Sequence, residues 1–367
     1  MREIGVARER DQSSLPFDPH ILREYGLSDA RVEKCGGAWR VHAADEIYYV
    51  KGVPFSAQRL EQIHILLDRV SGGVQVARFV HNQFGDPFVI HESGNYYVTL
   101  SCDGKPASFE RLALFLEGVE TLARWHSLAH TVPGNLWFAE RSDAAARIRN
   151  DLLTIDTLRA RVLAKDRLAH EFDEWFLSLR EELERRLREV GERLSEVKYE
   201  GVRSYAFATG EICHGSYVRK NLLESERGTY AVIDHDHVYA GPQMAELATF
   251  LLHYLAPFLS REDVLRRTLM AYAAIRPINQ AEWAVLGQLL CYPQGVMRCV
   301  EARLKNGNAD EDDLVDALED AWTASNLLST EILPALFSAT RPTRDDETLG
   351  AYSRSEKEGD KNEHEPS

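Results

Sequence analysis

The chain has 367 residues, 43 Lys and Arg against 58 Asp and Glu, and a formal net charge of -15. That acidic balance disfavours sequence-independent nucleic-acid binding, which runs on basic surface, and docking on an anionic membrane; a small nucleotide stays admissible, because a bound cation inverts the local field. With 44% hydrophobic and 28% charged residues the chain reads as folded and globular, and its length suits two lobes better than one core.

Five cysteines (Cys35, Cys102, Cys213, Cys291, Cys299) are scattered with no C-x-x-C, which reads as reduced thiols in a cytoplasmic protein. Residues 1–16 are polar, lack the apolar run of a signal peptide and read as a flexible tail; no apolar stretch is long enough to span a bilayer. Residues 31–33 and 38–42 read as strands around a Gly36-Gly37 turn, and 46–51 (EIYYVK) as a third. Leu60, Ile63, Leu66 and Leu67 predict a helix over 57–70, and Ser93-Gly94-Asn95 predicts a hairpin joining 87–91 to 96–100. These make a small lobe over 17–101, followed by a linker near 103–106.

The remainder, 102–342, is mainly helical. Ser108 is the expected N-cap of a helix running to about His130. A second helix over 170–194 carries an apolar stripe (Phe172, Phe176, Leu183, Leu187, Val190) opposite a solvated face of Glu and Arg pairs. Short strands return over 210–236, and helices over 242–336. Residues 343–367, rich in Asp, Glu, Lys, Ser and Gly, read as disordered.

The chemistry concentrates between Ile212 and Leu251. His214 ends one apolar run, Asn221 opens a second, Glu226-Arg227-Gly228 turns the chain, and residues 230–233 end at Asp234. A hairpin of that size sets Asn221 and Asp234 at neighbouring strand ends, where an amide oxygen and a carboxylate suit Mg²⁺ that keeps several waters and bridges nucleotide phosphates.

His214-Gly215, with Asn221 and then Ile233-Asp234, resembles the catalytic loop and metal-binding aspartate of the aminoglycoside phosphotransferase and choline kinase superfamily. YYVKGV, YYVTLSCDGKP, LARWH and the Cys291-Tyr292-Pro293 step in the late helices make it most similar to the CotS-type spore-coat proteins of endospore-forming bacteria, over roughly residues 20–340. The resemblance implies a protein-kinase-like α+β fold of two lobes, with ATP and Mg²⁺ as cofactors. It implies spore-coat proteins as partners and a place in the mother-cell cytoplasm with deposition in the spore coat, while the acidic balance gives no nucleic acid and no membrane as partners.

By the same resemblance Lys51 holds the α- and β-phosphates, with an ordinary surface lysine as the alternative; Glu61 positions Lys51 or is merely solvated; Gly36-Gly37 covers phosphate or is a plain turn. Asn221 and Asp234 hold the metal. The superfamily has an aspartate base where this chain has Ser216, and a hydroxyl without an activating neighbour is no base near neutral pH. Asp236 is the candidate substitute, since residues two apart on a strand face the same way. Glu246 replaces the aspartate that braces the loop, and Arg219 and Lys220 add charge that meets phosphate or only solvent. Two functions follow: a catalytically weakened, kinase-like spore-coat protein acting in assembly or binding, or an active phosphotransferase on a small-molecule hydroxyl. His126 with His130, His235 with His237, and Cys213 are set aside as zinc ligands or nucleophile in favour of packing.

Overall fold

The computed structural model describes residues 17–28, 30–130, 138, 144–164, 170–261, 263–305 and 311–339; the tails expected at 1–16 and 343–367 lie outside them. Alternating β-branched and aromatic residues build an antiparallel five-stranded sheet in the order β1-β2-β3-β6-β5 (β1 Arg31–Cys35, β2 Ala38–Ala43, β3 Glu46–Val53, β5 Val89–His91, β6 Gly94–Leu100). One face packs Val41, Val50, Val89 and Val98 against Ile21 and Leu22 of a short helix, α1 (Pro19–Glu24). The other side meets α2 (Ala57–Val70), N-capped by Ser56, whose Oγ accepts from the Arg59 N–H at 3.3 Å. The α2 stripe Leu60, Ile63, Leu66, Leu67 and Val70 belongs to the same continuous core as the helices that follow.

A second sheet, β4-β10-β9-β7 (β4 Gln75–Val76, β7 Lys105–Pro106, β9 Leu222–Glu224, β10 Tyr230–Val232), interleaves early and late parts of the chain. β4 lies parallel to β10, while β7 pairs antiparallel to β9, so the expected hairpin is gripped on both flanks. A two-stranded pair joins β8 (Ile212–Cys213) to β11 (Tyr239–Ala240).

The helices are α3 (Leu112–Leu128), α4 (Ala144–Leu163), α5 (Glu171–Glu196), α6 (Tyr199–Thr209), α7 (Gln243–Tyr254), α8 (Val264–Ile275), α9 (Gln280–Leu290), α10 (Gln294–Lys305) and α11 (Glu311–Leu327). α3 departs from expectation. It starts at Leu112 after an extended Arg111 with no side-chain cap, and Ser108 lies outside it. Phe109 takes a left-handed φ of 53° and turns its ring into an aromatic cluster, 5.5 Å from Phe250 and 5.8 Å from Tyr230, so burial of that ring overrides the local capping preference. α5 buries the expected stripe, and its Asp173 accepts two hydrogen bonds from Arg303 of α10 at 2.9 and 3.1 Å. Among the described residues no helix is long and apolar enough to cross a membrane.

Phe250 stands at the centre of the aromatic cluster, stacked on Phe115 at 5.8 Å and edge-on to Tyr217 at 5.3 Å. Phe250→Ala is expected to destabilise the fold by about 3–5 kcal/mol, read from denaturant unfolding; a loss under about 1 kcal/mol would show that this cluster is not the keystone of the core.

Candidate functional site

The site forms where β3 meets the end of β10. Lys51 on β3 lies opposite Tyr97 on β6, and its Nζ reaches Asp234 Oδ1 and Asp236 Oδ2, each at 2.5 Å. The Tyr97 hydroxyl donates to Asp236 Oδ1 at 2.6 Å, and its ring stacks on Phe79 at 4.3 Å. Arg59, in the first turn of α2, donates to the carbonyls of Asp236 (3.1 Å) and Val238 (3.0 Å). Asp234 and Asp236 therefore meet one cation, but not by strand alternation. The chain leaves β10 at Val232, Asp234 adopts a left-handed φ of 64°, and residues His235–His237 wind into a 3₁₀ turn that brings both carboxylates round to Lys51.

The loop after β8 is held from beneath. Glu246 on α7 is buried; its Oε2 accepts the His214 N–H at 2.8 Å and its Oε1 the Gly215 N–H at 2.6 Å. Its Oε2 also lies 3.0 Å from His126 Nε2, whose Nδ1 meets the Tyr272 hydroxyl at 2.7 Å. The brace is thus made despite the longer side chain. Gly215 has φ +79°, and a Cβ there would sit 1.9 Å from the His237 carbonyl oxygen, so only glycine fits. His214 is buried and its Nδ1 accepts the Ser216 N–H at 3.3 Å, which makes it a support of the loop.

Asn221 is buried, and its Nδ2 donates to the Ser216 carbonyl (2.9 Å) and to Ser216 Oγ (3.0 Å). Its own carbonyl accepts the Ile233 N–H at 3.0 Å, which ties it to the strand end that carries Asp234. With the amide nitrogen engaged by Ser216, the amide oxygen is the side-chain atom that would ligate a cation. That oxygen and the Asp234 carboxylate are donor types Mg²⁺ takes, so the donor set fits the metal.

Charge balance follows from burial and pairing. Burial pushes the Lys51 ammonium down, but Asp236 and Asp234 outweigh it and its pKa is raised. Burial likewise works to raise the Asp234 carboxyl, and Lys51 overrides it and holds it below its ordinary value. Burial lowers His214, and His235 well below the usual imidazole range, so both are neutral rings in the core.

The other sequence candidates fall outside this centre. Glu61 is exposed, and the carboxylates ion-paired to Lys51 among the described residues are Asp234 and Asp236. Gly36-Gly37 closes the β1–β2 turn, with Gly36 at φ +59° and nothing within 4 Å of a Cβ at either position. His235 stacks on Trp125 at 5.5 Å while His237 is exposed, so the two do not face one cation. Arg219 Nε clips to the Ala107 carbonyl at 2.7 Å, and Lys220 is exposed. His126, Cys213 and Glu246 place ligand atoms within 4.8 Å of one another, but Glu246 there is bonded to the loop amides and His126. Sequence reasoning missed Tyr97 and Arg59; the β3–β6 register would have given Tyr97, as the residue opposite Lys51.

No protein-family model and no curated protein matches this sequence. Solved structures do. An aminoglycoside phosphotransferase from Alicyclobacillus acidocaldarius subsp. acidocaldarius DSM 446 superposes with a TM-score of 0.74 at 20% identity, over 90% of this chain and 98% of that one. The chain has a protein-kinase-like fold. The spectinomycin phosphotransferase APH(9)-Ia in its AMP-bound complex (TM-score 0.60, 11% identity, 85% of this chain and 96% of that one) is similar as well. So is the amicoumacin kinase hAmiN in complex with AMP-PNP, Ca²⁺ and Ami (0.55, 11%, 85% and 93%).

Lys51→Met should leave Asp234 and Asp236 facing each other without their cation. In the wild type Asp234, with its pKa lowered, adds stability above its unfolded value of 3.8 and loses it as pH falls through its folded value. In the variant carboxylate repulsion raises the folded pKa instead, so acid relieves the strain. The expected loss is about 2 kcal/mol at pH 7, shrinking toward pH 4, read from urea unfolding at both pH values. A deficit that stays constant or grows toward pH 4 would count against Lys51 as the neutraliser of this pair.

Proposed function

We propose that this chain binds a magnesium nucleotide between β3 and the Asn221–Asp234 hairpin and transfers phosphate to a small-molecule hydroxyl at an attenuated rate. The observation that carries the reading is the convergence of Lys51, from the sheet lobe, with Asp234 and Asp236, from the helical lobe, beside Asn221. Neighbours of the same fold, described as complexes with AMP or with AMP-PNP and Ca²⁺, favour a nucleotide and a divalent cation as ligands here. A bound metal would supply charge neutralisation between phosphates, and Asn221 and Asp234 are the residues that would hold it.

The remaining work falls to the chain's own side chains. Lys51 donates to phosphate oxygens. Glu246 and His214 fix the loop, so Ser216 and Asn221 stay in register with Asp234. Ser216 Oγ accepts from Asn221 and has no carboxylate bonded to it among the described residues, so it does not draw a proton from an acceptor hydroxyl. Asp236 has one oxygen bonded to Tyr97 and the other to Lys51, which leaves it a poor base while that arrangement holds. Positioning and charge neutralisation remain, which is why the rate is lowered and not abolished. The spore coat is the setting that the sequence similarity to CotS-type proteins suggests for this activity, with coat proteins as partners.

Two measurements test the reading. Thermal unfolding with Mg²⁺-ATP at 100 times its dissociation constant should show stabilisation of about 2.7 kcal/mol that disappears in Asp234→Asn; a folded wild type that does not shift would sink the nucleotide site. Ser216→Asp should raise phosphate transfer on the order of 10²-fold or more, followed as ADP release with hydroxyl acceptors. An unchanged rate in a variant that still binds Mg²⁺-ATP would mean that a missing base is not what limits transfer.

A further inference from the structure

A cleft of about 430 Å³ opens among the helices beside the catalytic loop, walled by α4, α5, α6, α7, α9, α10 and the segment 239–242. It is within the size range of small-ligand pockets. Through Tyr239 it abuts the loop that carries Ser216. Tyr239 lines the cleft and pairs across the β-ladder with Cys213, three residues before Ser216 and three after Asp236. Its ring also sits where a Cβ on Gly215 would touch it, 3.1 Å from Tyr239 Cδ1. Ala245, also in the lining, adjoins Glu246, the brace of the loop.

The cleft lining carries two arginines and two acids, and they differ in how they are engaged. Of its two acids, Asp151 is only 6% exposed and accepts the Tyr292 hydroxyl proton, with burial raising its pKa, and Glu301 pairs with Lys305 at 3.4 Å. Arg147 is exposed on the same wall. Its guanidinium lies 4.3 Å over the Tyr292 ring, with Nε donating to the Tyr292 hydroxyl at 3.1 Å and an Nη to Gln294 Oε1 at 3.4 Å, both neutral acceptors. A guanidinium stacked on an aromatic face and hydrogen-bonded to neutral groups keeps donors for a bidentate anion. Tyr199 and Tyr239 add flat apolar faces suited to a ring.

We infer that this cleft is an acceptor site for a hydroxylated ring bearing a carboxylate or similar anion, with Arg147 as the anchor of that negative charge. The inference rests on the proposed phosphotransfer reading for its link to chemistry, but the binding itself is measured without nucleotide. A polycation would meet Arg147 with both cleft acids already engaged, while Arg203 is paired with Glu200.

The test uses three probes of one ring and three charges: glucuronate, glucose and glucosamine, titrated into the full chain by calorimetry at pH 7.5, alone and with Mg²⁺-ATP. Glucuronate should bind about tenfold or more tighter than glucosamine, the scale of one charge-assisted bond to a guanidinium, with glucose between. Arg147→Ala should erase that ranking, Arg147→Lys should keep part of it, and the Mg²⁺-ATP thermal shift should be unchanged in both. Equal binding, preference for glucosamine, no binding of any probe at concentrations on the order of 10 mM, or a ranking that survives in both Arg147→Ala and Arg147→Gln would each overturn the inference. Loss of the Mg²⁺-ATP shift in the wild type would instead remove the phosphotransfer reading, and the glucuronate ranking without nucleotide would still decide the cleft.

Discussion

One ammonium group between two carboxylates governs the arrangement of this molecule. Lys51 comes from the sheet of the first lobe, Asp234 and Asp236 from the turn after β10, and the three groups neutralise one another in a partly buried place where any one alone would be costly. Arg59 reinforces the junction from α2 by satisfying two carbonyls of the same turn, and β4 joins β10 a few residues away. Under the proposed function the same balance has to be redrawn on binding. Phosphate oxygens would take over Lys51 and Asp234 would hold a bound metal, so those two charges would stay compensated. Asp236 would then keep its bond from Tyr97 and lose the cation on its other oxygen.

The loop residues carry different weight in a functional argument. Glu246 is a buried carboxylate, and buried carboxylates require donors; the His214 and Gly215 amides and His126 supply them. Those residues would be needed for folding whether or not the chain transfers phosphate, so they say little about activity. Gly215 is similar, because its backbone passes too close to the His237 carbonyl for any side chain. Lys51, Asn221 and Asp234 are different. Lys51 and Asp234 pair across the lobes next to the strand end that Asn221 ties down, and a hydrophobic junction would have been simpler to stabilise. That asymmetry favours ligand binding over a purely structural role.

The parts legible in the sequence are those whose signal is local. The hairpin that sets Asn221 beside Asp234 follows from two short apolar runs and a turn, and the α2 and α5 stripes follow from helical spacing. What escaped depends on contacts between distant segments. Tyr97 and Arg59 reach Asp236 across 139 and 177 residues of chain. Glu61 looked well placed along the chain, but with Leu60, Ile63 and Leu67 buried its own direction on the helix is toward solvent. α4 went unread because its inward stripe, Ile148, Asp151, Ile155, Leu158 and Val162, carries an acid at the second position. That acid makes sense only once Tyr292, 141 residues away, is seen to donate to it.

The same acid illustrates why likeness of fold leaves the acceptor open. The frame that positions Lys51, Asn221 and Asp234 is built from the two sheets, α3 and α7, and a structure 20% identical reproduces it over most of both chains. The cleft shares α7 with that frame but draws most of its polar lining from α4, α6 and α10, where the exposed Arg147 bonds Tyr292 and Gln294. Under the proposed function, substrate preference would be set by a handful of cleft residues, and the fold would constrain only where the reacting hydroxyl must arrive. Here the cleft acids are bonded to Tyr292 and Lys305 while Arg147 bonds neutral acceptors, which is why the inferred acceptor carries negative charge although the chain is acidic overall.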